Sequence, residues 1–157
     1  MELKELLLLQ LIAHLCLDYF FQTDNLAKQK NTIGFKSSFL YWHALACFAL
    51  AWLFSMQLGF ALAAGVIAAT HFLMDGFKRH LNNSKYFGRY SFFIDQAIHL
   101  IILTIVVVLF HKWHGINPSV DVSINFKYLL IITGYLICLK PANIFIREVF
   151  KVTEIQV

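Results

Sequence analysis

Five apolar segments, each close to the length of a membrane-spanning helix, constrain the fold of this chain more than any other feature. They cover residues 3–22, 39–56, 58–77, 92–111 and 126–145. A helix needs about 20 mostly apolar residues to cross the hydrocarbon core of a bilayer. Of the 157 residues, 59% are hydrophobic and 14% charged, which is more apolar surface than a soluble domain of this size can bury. We therefore predict an all-α, polytopic membrane helix bundle of about five spans, forming a single transmembrane domain over residues 1–157.

The C-terminal end of the fifth segment has a different pattern. Pro141 should kink or end the helix, because proline cannot donate its backbone hydrogen bond and its ring clashes with the preceding turn. In a helix, the residues after Pro141 would form two opposite faces, one apolar and one polar. The apolar face is Phe145, Ile146, Val149 and Phe150, and the polar face is Arg147, Glu148, Lys151 and Glu154. We expect an amphipathic helix along the membrane surface.

Basic residues lie mostly beside one set of helix ends, which predicts the orientation. The first loop, the third loop and the C-terminus carry Lys28, Lys30, Lys36, Lys78, Arg79, Lys85, Arg89, Arg147 and Lys151. The opposite side carries Lys4, Lys112 and Lys127. The positive-inside rule then places the N-terminus outside and the C-terminus in the cytoplasm. This asymmetry accounts for the net charge of +4, so no nucleic-acid partner is expected.

Three of the apolar segments contain a histidine and an aspartate four residues apart. The pairs are His14 and Asp18 in HLCLD, His71 and Asp75 in HFLMD, and Asp95 and His99 in DQAIH. Residues at this spacing share a helix face, so each pair can point into the bundle. In the third pair the aspartate comes first, and its helix runs in the opposite direction. Its histidine and aspartate therefore lie at the same depths in the membrane as those of the other two pairs. His43, near the start of the second segment, falls at the level of the aspartates.

A centrally placed aspartate costs about 2.5–3.5 kcal/mol on membrane-insertion scales, so three without partners are poorly tolerated. Separate helix-to-helix hydrogen bonds would explain any single histidine, but not three pairs of one type at one depth. We predict one shared site just beneath the headgroups of the cytoplasmic leaflet. Its candidate metal ligands are His14, Asp18, His43, His71, Asp75, Asp95 and His99.

Imidazole and carboxylate ligands suit zinc, or manganese or iron, and the three cysteines show no CxxC spacing that would indicate a thiolate site. Seven candidates exceed the four ligands of one tetrahedral zinc. Either two ions bind, or some of the seven orient the others. A proton relay would use the same residues without metal. Beside them, Gln22 could contact a ligand headgroup, and Lys78 could bind a phosphate or extend to the membrane interface.

Several motifs in this order resemble the family of small bacterial membrane proteins known as domain of unknown function 3307. They are AHLCLDYFFQTD with AKQK, a lone histidine in the second segment, HFLMDGFK, DQAIH and KPANIFIR. The resemblance covers nearly the whole chain and implies a bacterial multi-span protein, with no activity established for the family. The matching positions are His14, Asp18, Gln22, Asp24, His43, His71, Asp75, Asp95, Gln96, His99 and Arg147. A weaker similarity links the chain to inner-membrane metal-dependent hydrolases, but no continuous motif is shared and no residue is carried over.

The function that these patterns favour is a metal-dependent hydrolase of the inner membrane. Divalent metal lowers the pKa of bound water, and Asp75 or Asp95 would take the proton as an ester or phosphoester of a membrane lipid is attacked. Loop lysines would attract an anionic headgroup. A proton or divalent-cation carrier and a non-enzymatic scaffold or accessory subunit are the alternatives, and the sequence sets no oligomeric state.

Overall fold

The computed structural model describes residues 1–119 and 125–153, and these ranges form a bundle of α-helices. The helices are α1 (Leu3–Leu15), α2 (Asp24–Ile33), α3 (Ser38–Ser55), α4 (Ala61–Asn82), α5 (Ser91–His114), α6 (Phe126–Leu139) and α7 (Pro141–Thr153). A π-helical turn, Cys16–Phe20, continues α1, and short 3₁₀ turns precede α3, α4 and α5. No strand occurs in the described ranges. The predicted all-α class is confirmed.

Three helices are long and apolar enough to cross a membrane by themselves: α3, α4 with its preceding turn, and α5 with its preceding turn. Two further spans exist if each of two bent helix pairs counts as one. The first pair, Leu3–Phe20 with Asp24–Lys36, bends by 91°, and the second, Phe126–Leu139 with Pro141–Thr153, bends by 46°. The bundle therefore has three to five candidate spans, which agrees with the prediction of about five.

The segment between the first two predicted spans is a helix, and this corrects its prediction as a loop. Thr23 caps α2, because its side chain accepts a hydrogen bond from the backbone N–H of Leu26 at 3.4 Å. Asp24, a position that matches the family resemblance, is the exposed first residue of that helix. With its polar outer face, α2 folds back at right angles to α1 and packs mainly on α4.

Two glycines allow α2 to approach α4 closely. Gly34, directly after α2, has a φ of +56°, which L side chains rarely adopt. A Cβ at Gly34 would lie 2.8 Å from the carbonyl oxygen of Gly76 in α4. A Cβ at Gly76 would in turn lie 2.1 Å from the ring of Phe35. The contact therefore requires glycine on both sides.

The fifth predicted span, residues 126–145, is broken into two helices. Helix α6 stops at Leu139, and Pro141 is the first residue of α7, a position where its missing N–H costs nothing. Phe145, Ile146 and Phe150 of α7 are exposed, as the predicted apolar face requires. Glu154, the last residue of the predicted polar face, lies outside the described residues. Helices α4 and α5 also extend past residues 77 and 111, where their spans were predicted to end. Their last turns are polar, so a prediction from hydrophobic length does not include them.

The apolar core lies between α1, α3, α4 and α5 in the half of the bundle that contains the N-terminus of α1. Leu6, Phe60, Ala64 and Val107 are fully buried there. A buried amide of this region, Gln10, donates from Nε2 to the carbonyl of Ala51 at 2.9 Å. The opposite half of these same helices contains the polar residues.

Candidate metal centre

The structure brings all seven sequence-predicted ligands together at one end of the bundle. Helix α1 and its π-helical turn contribute His14 and Asp18, α3 contributes His43, α4 contributes His71 and Asp75, and α5 contributes Asp95 and His99. All are buried except Asp18, whose side chain is 10% exposed. In the π turn, the N–H of Phe21 donates to the carbonyl of Cys16, five residues earlier, at 2.9 Å. Such π turns recur at functional sites because they re-aim side chains within a helix.

Four of these residues, which we call the four-ligand cluster, are Asp18, His43, His71 and Asp75. The two Nε2 atoms of His43 and His71 lie 3.1 Å apart. Asp18 Oδ1 lies 3.2 Å from the first and 3.3 Å from the second. Asp75 Oδ2 lies 3.4 Å from each. Zinc-to-nitrogen distances of about 2.0–2.1 Å place tetrahedral ligand atoms about 3.3–3.4 Å apart, and these five distances are close to that spacing.

Hydrogen bonds alone satisfy the four-ligand cluster poorly. A neutral imidazole offers one N–H, yet each Nε2 faces another Nε2 and two carboxylate oxygens at the distances above. A divalent ion among the four atoms would accept a lone pair from every one of them. A shared proton would relieve part of the same conflict, as in the relay predicted as an alternative to metal.

The remaining two histidines pack against His71 on the side of the apolar core. The ring of His99 stacks on that of His71 with centroids 4.0 Å apart, and the ring of His14 lies 5.8 Å from both. His99 Nε2 is 3.4 Å from Asp95 Oδ1. Ligand atoms of Asp75, Asp95 and His99 lie within 4.8 Å of one another, as do those of His14, Asp18 and His71. These groupings could orient the four-ligand cluster or hold a second ion.

Two lysines neutralise the carboxylates, and one of them was assigned differently from the sequence. Lys30 was counted among the exposed loop residues, but it is 2% exposed and its Nζ lies 2.6 Å from Asp75 Oδ2. Lys78 Nζ lies 2.5 Å from Asp95 Oδ2. The signal that could have revealed Lys30 is its spacing with Leu26 and Gly34, one helix face that turns inward once α2 forms.

Two further residues, Tyr19 and Gln96, belong to the site. Gln96, a position that matches the family resemblance, donates from Nε2 to Asp18 Oδ2 at 3.4 Å and to Asp95 Oδ2 at 3.3 Å. The hydroxyl of Tyr19 donates to Gln96 Oε1 at 3.0 Å, and His14 Nε2 lies 3.4 Å from the same oxygen. Tyr19 was not among the candidate residues, and the signal that could have found it is that it directly follows Asp18, as Gln96 follows Asp95.

A cavity of about 170 Å³ borders the site on its polar side, away from the apolar core. Asp18, Tyr19 and Gln96 form its inner wall, and Gln22, which matches the resemblance pattern, lines it as well. The Oε1 atom of Gln22 is buried and has no hydrogen-bond partner among the described residues. Arg147 lines the same cavity from α7.

Comparisons with known proteins agree with the family resemblance and add no activity. A family model described as "Protein of unknown function (DUF3307)" matches residues 6–132, which include all seven candidate ligands. No curated protein and no solved structure matches the chain, so the weaker similarity to metal-dependent hydrolases gains no support. Because the family match covers most of the chain, the protein belongs to the DUF3307 family.

Proposed function

We propose that this protein is a metal-dependent hydrolase of the bacterial inner membrane that acts on an ester or phosphoester of a membrane-associated substrate. The observation that carries the proposal is the four-ligand cluster, which contains two imidazole nitrogens and two carboxylate oxygens. The five distances between these atoms given above are 3.1–3.4 Å. One or two ions of zinc, manganese or iron would bind there. The N-terminus would lie outside and the site would open to the cytoplasm.

The geometry favours Asp95 over Asp75 as the general base. Asp75 Oδ2 is already shared by His43, His71 and Lys30. Asp95 holds Lys78 and Gln96 through Oδ2, whereas its Oδ1 is buried and lies 3.4 Å from His99 Nε2 without a hydrogen bond to it. A bound divalent metal would supply an acidified water, and Oδ1 of Asp95 would take its proton.

The shape of the interior supports an enzyme over a carrier. A carrier needs a route from the site to the opposite face of the membrane. A second cavity lies beyond the histidines, and its volume is only about 20 Å³. Its lining consists of apolar residues together with Gln10, His14, His71 and His99. This volume holds a single water, which needs about 10–15 Å³. Past it lies the apolar core.

Metal analysis of the detergent-purified protein tests the proposal. We expect wild type to retain at least one zinc, manganese or iron ion per chain, and the variants Asp18→Asn and His43→Ala/His71→Ala to lose it. His80→Ala is the matched control, because His80 lies on the same helix as His71 but is exposed. Wild type without bound metal, or metal retained by all variants, would contradict the metal centre.

Hydrolysis of para-nitrophenyl phosphate and para-nitrophenyl butyrate tests the activity. The reaction should stop on chelation and return with added metal. Asp95→Asn should keep its metal and lose about 10²–10⁴-fold in rate, the usual contribution of a general base. If metal-loaded protein hydrolyses neither ester class, or if chelation leaves the rate unchanged, the hydrolase proposal fails and a scaffold role is favoured.

A further inference from the structure

We propose that the 170 Å³ cavity beside the metal centre is the substrate site, and that it recognises a phosphate group carried by a polyol, such as a glycerol phosphate. This inference rests on the proposed function and names the substrate class of the same site. Three observations support it: the size of the cavity, the charge of its walls and the unpaired amide oxygens along them.

The cavity is large enough for a small molecule. Its volume exceeds by about tenfold the space of about 10–15 Å³ that one water needs. It is walled by the end of α1, by α2, α4 and α5, and by the turn into α7. A ligand in it would therefore contact elements from both ends of the chain, and Asp18 would connect it directly to the four-ligand cluster.

Cationic residues outnumber carboxylates among the residues that line the cavity. Four cationic residues line the cavity, namely Lys30, Lys78, Lys140 and Arg147, against the carboxylates of Asp18 and Asp24. Lys30 and Lys78 are held by Asp75 and Asp95. Lys140 donates only to the backbone oxygen of Gln22, at 3.4 Å, and Arg147 has no carboxylate partner within residues 1–119 and 125–153. These two cations are available to an anion, and arginine matches phosphate oxygens in bidentate geometry.

The lining also contains acceptors that lack donors. Gln22 Oε1 and Asn31 Oδ1 are buried, and neither has a hydrogen-bond partner among the described residues. Both residues line the cavity. Buried polar atoms are almost always paired in folded proteins, so such atoms point to a missing partner. A phosphate at neutral pH offers mainly acceptors, whereas the hydroxyl groups of a polyol would donate to both amides.

The route to the cavity has the same charge. A wider groove of about 700 Å³ shares Asp24, Asn31 and Arg147 with it and adds Lys28, Arg79 and Lys151. An anionic headgroup at the membrane surface, or a soluble polyol phosphate, would be attracted along this groove. The chemistry of the ligand is the same in both cases, and only the source differs.

Binding of glycerol 1-phosphate, inorganic phosphate and glycerol, measured by calorimetry on the whole protein in detergent, tests the inference. We expect glycerol 1-phosphate to bind at least tenfold more tightly than either fragment. Lys140→Ala/Arg147→Ala should weaken it by at least tenfold, and Gln22→Leu/Asn31→Leu should reduce its advantage over inorganic phosphate. The control Lys112→Ala/Lys127→Ala changes two exposed cations near the opposite end of the bundle and should bind as wild type does. Absence of binding, or binding unaffected by both cavity variants, would overturn the inference.

Nanodiscs distinguish the two sources. If the ligand is a lipid, phosphatidylglycerol in a phosphatidylcholine disc should raise the melting temperature of wild type, and of the control variant, more than that of Lys140→Ala/Arg147→Ala. If the ligand is soluble, glycerol 1-phosphate should raise the melting temperature in this way and phosphatidylglycerol should not. Metal content of the same samples separates this inference from the proposed function. Normal metal without phosphate binding overturns only the inference, and phosphate binding without metal overturns only the hydrolase.

Discussion

At the scale of single residues, the charges of the buried site determine what else it must bind. The site contains three carboxylates, those of Asp18, Asp75 and Asp95, and two ammonium groups, those of Lys30 and Lys78, which pair with Asp75 and Asp95. With neutral imidazoles this leaves one net negative charge in a region of low dielectric, where an unpaired charge is costly. One proton would balance it, whereas one divalent ion would leave a net positive charge. The excess would attract an anion, which agrees with a phosphate site in the adjoining cavity.

Lys30→Met tests the buried pair with Asp75. Because the variant leaves a carboxylate buried without its cation, we expect a loss of about 3–5 kcal/mol in the free energy of unfolding. Excess zinc should recover part of the loss, since the ion would restore a positive charge beside Asp75. Unfolding of the detergent-solubilised protein, with and without zinc, gives the measurement. Lys28→Met, an exposed position on the same helix, should stay within about 0.5 kcal/mol of wild type. Equal stabilities for the two variants would show that the ion pair contributes nothing.

At the scale of secondary-structure elements, α2 is the element that completes the site. It brings Lys30 to Asp75 and supplies one wall of the cavity. Its position depends on the close contact between Gly34 and Gly76 described above. The helix is short and polar, so its packing on α4 stabilises it more than its intrinsic propensity does.

Gly34→Ala should displace α2. Gly34 has φ +56° and ψ −129°, a conformation that costs an L residue about 1–3 kcal/mol, and the added methyl group would also meet the rigid backbone oxygen of Gly76. Overpacking adds about 1–3 kcal/mol, so we expect a total destabilisation of about 2–6 kcal/mol, measured by unfolding, and a weaker retention of metal. Gly65→Ala is the control, because a Cβ at that position of α4 meets nothing within 4 Å. The packing argument is wrong if Gly34→Ala is as stable as Gly65→Ala.

At the scale of the whole molecule, polar and apolar residues occupy opposite ends of the same helices. The apolar core surrounds Leu6 and Val107, while the site contains the later part of α1 and α4 and the earlier part of α3 and α5. The loop between α4 and α5, at the site end, contains Lys85 and Arg89. The positive-inside rule therefore predicts that the site end faces the cytoplasm.

Cysteine labelling tests this orientation. In a variant with Cys16, Cys47 and Cys138 replaced by alanine, Ser84→Cys reports the site end and Lys112→Cys reports the end of α5 that follows its membrane span. A membrane-impermeant maleimide on intact spheroplasts should label only the cysteine at 112. Inverted membrane vesicles should give the reverse result. If spheroplasts instead label only the cysteine at 84, and inverted vesicles only the cysteine at 112, the site lies outside the cytoplasm.

The sequence alone determined the helical class, the approximate spans, the break at Pro141 and the shared level of the three His/Asp pairs. These properties are local, because helix period and hydrophobic length depend on residues within a few turns of one another. It could not determine that α2 folds back, that Lys30 is buried, or that Tyr19 and Gln96 join the site. Those features depend on contacts between residues far apart in the sequence, such as Lys30 with Asp75, 45 positions apart, and Tyr19 with Gln96, 77 positions apart. Only the packing of whole helices decides which side chains meet across such distances.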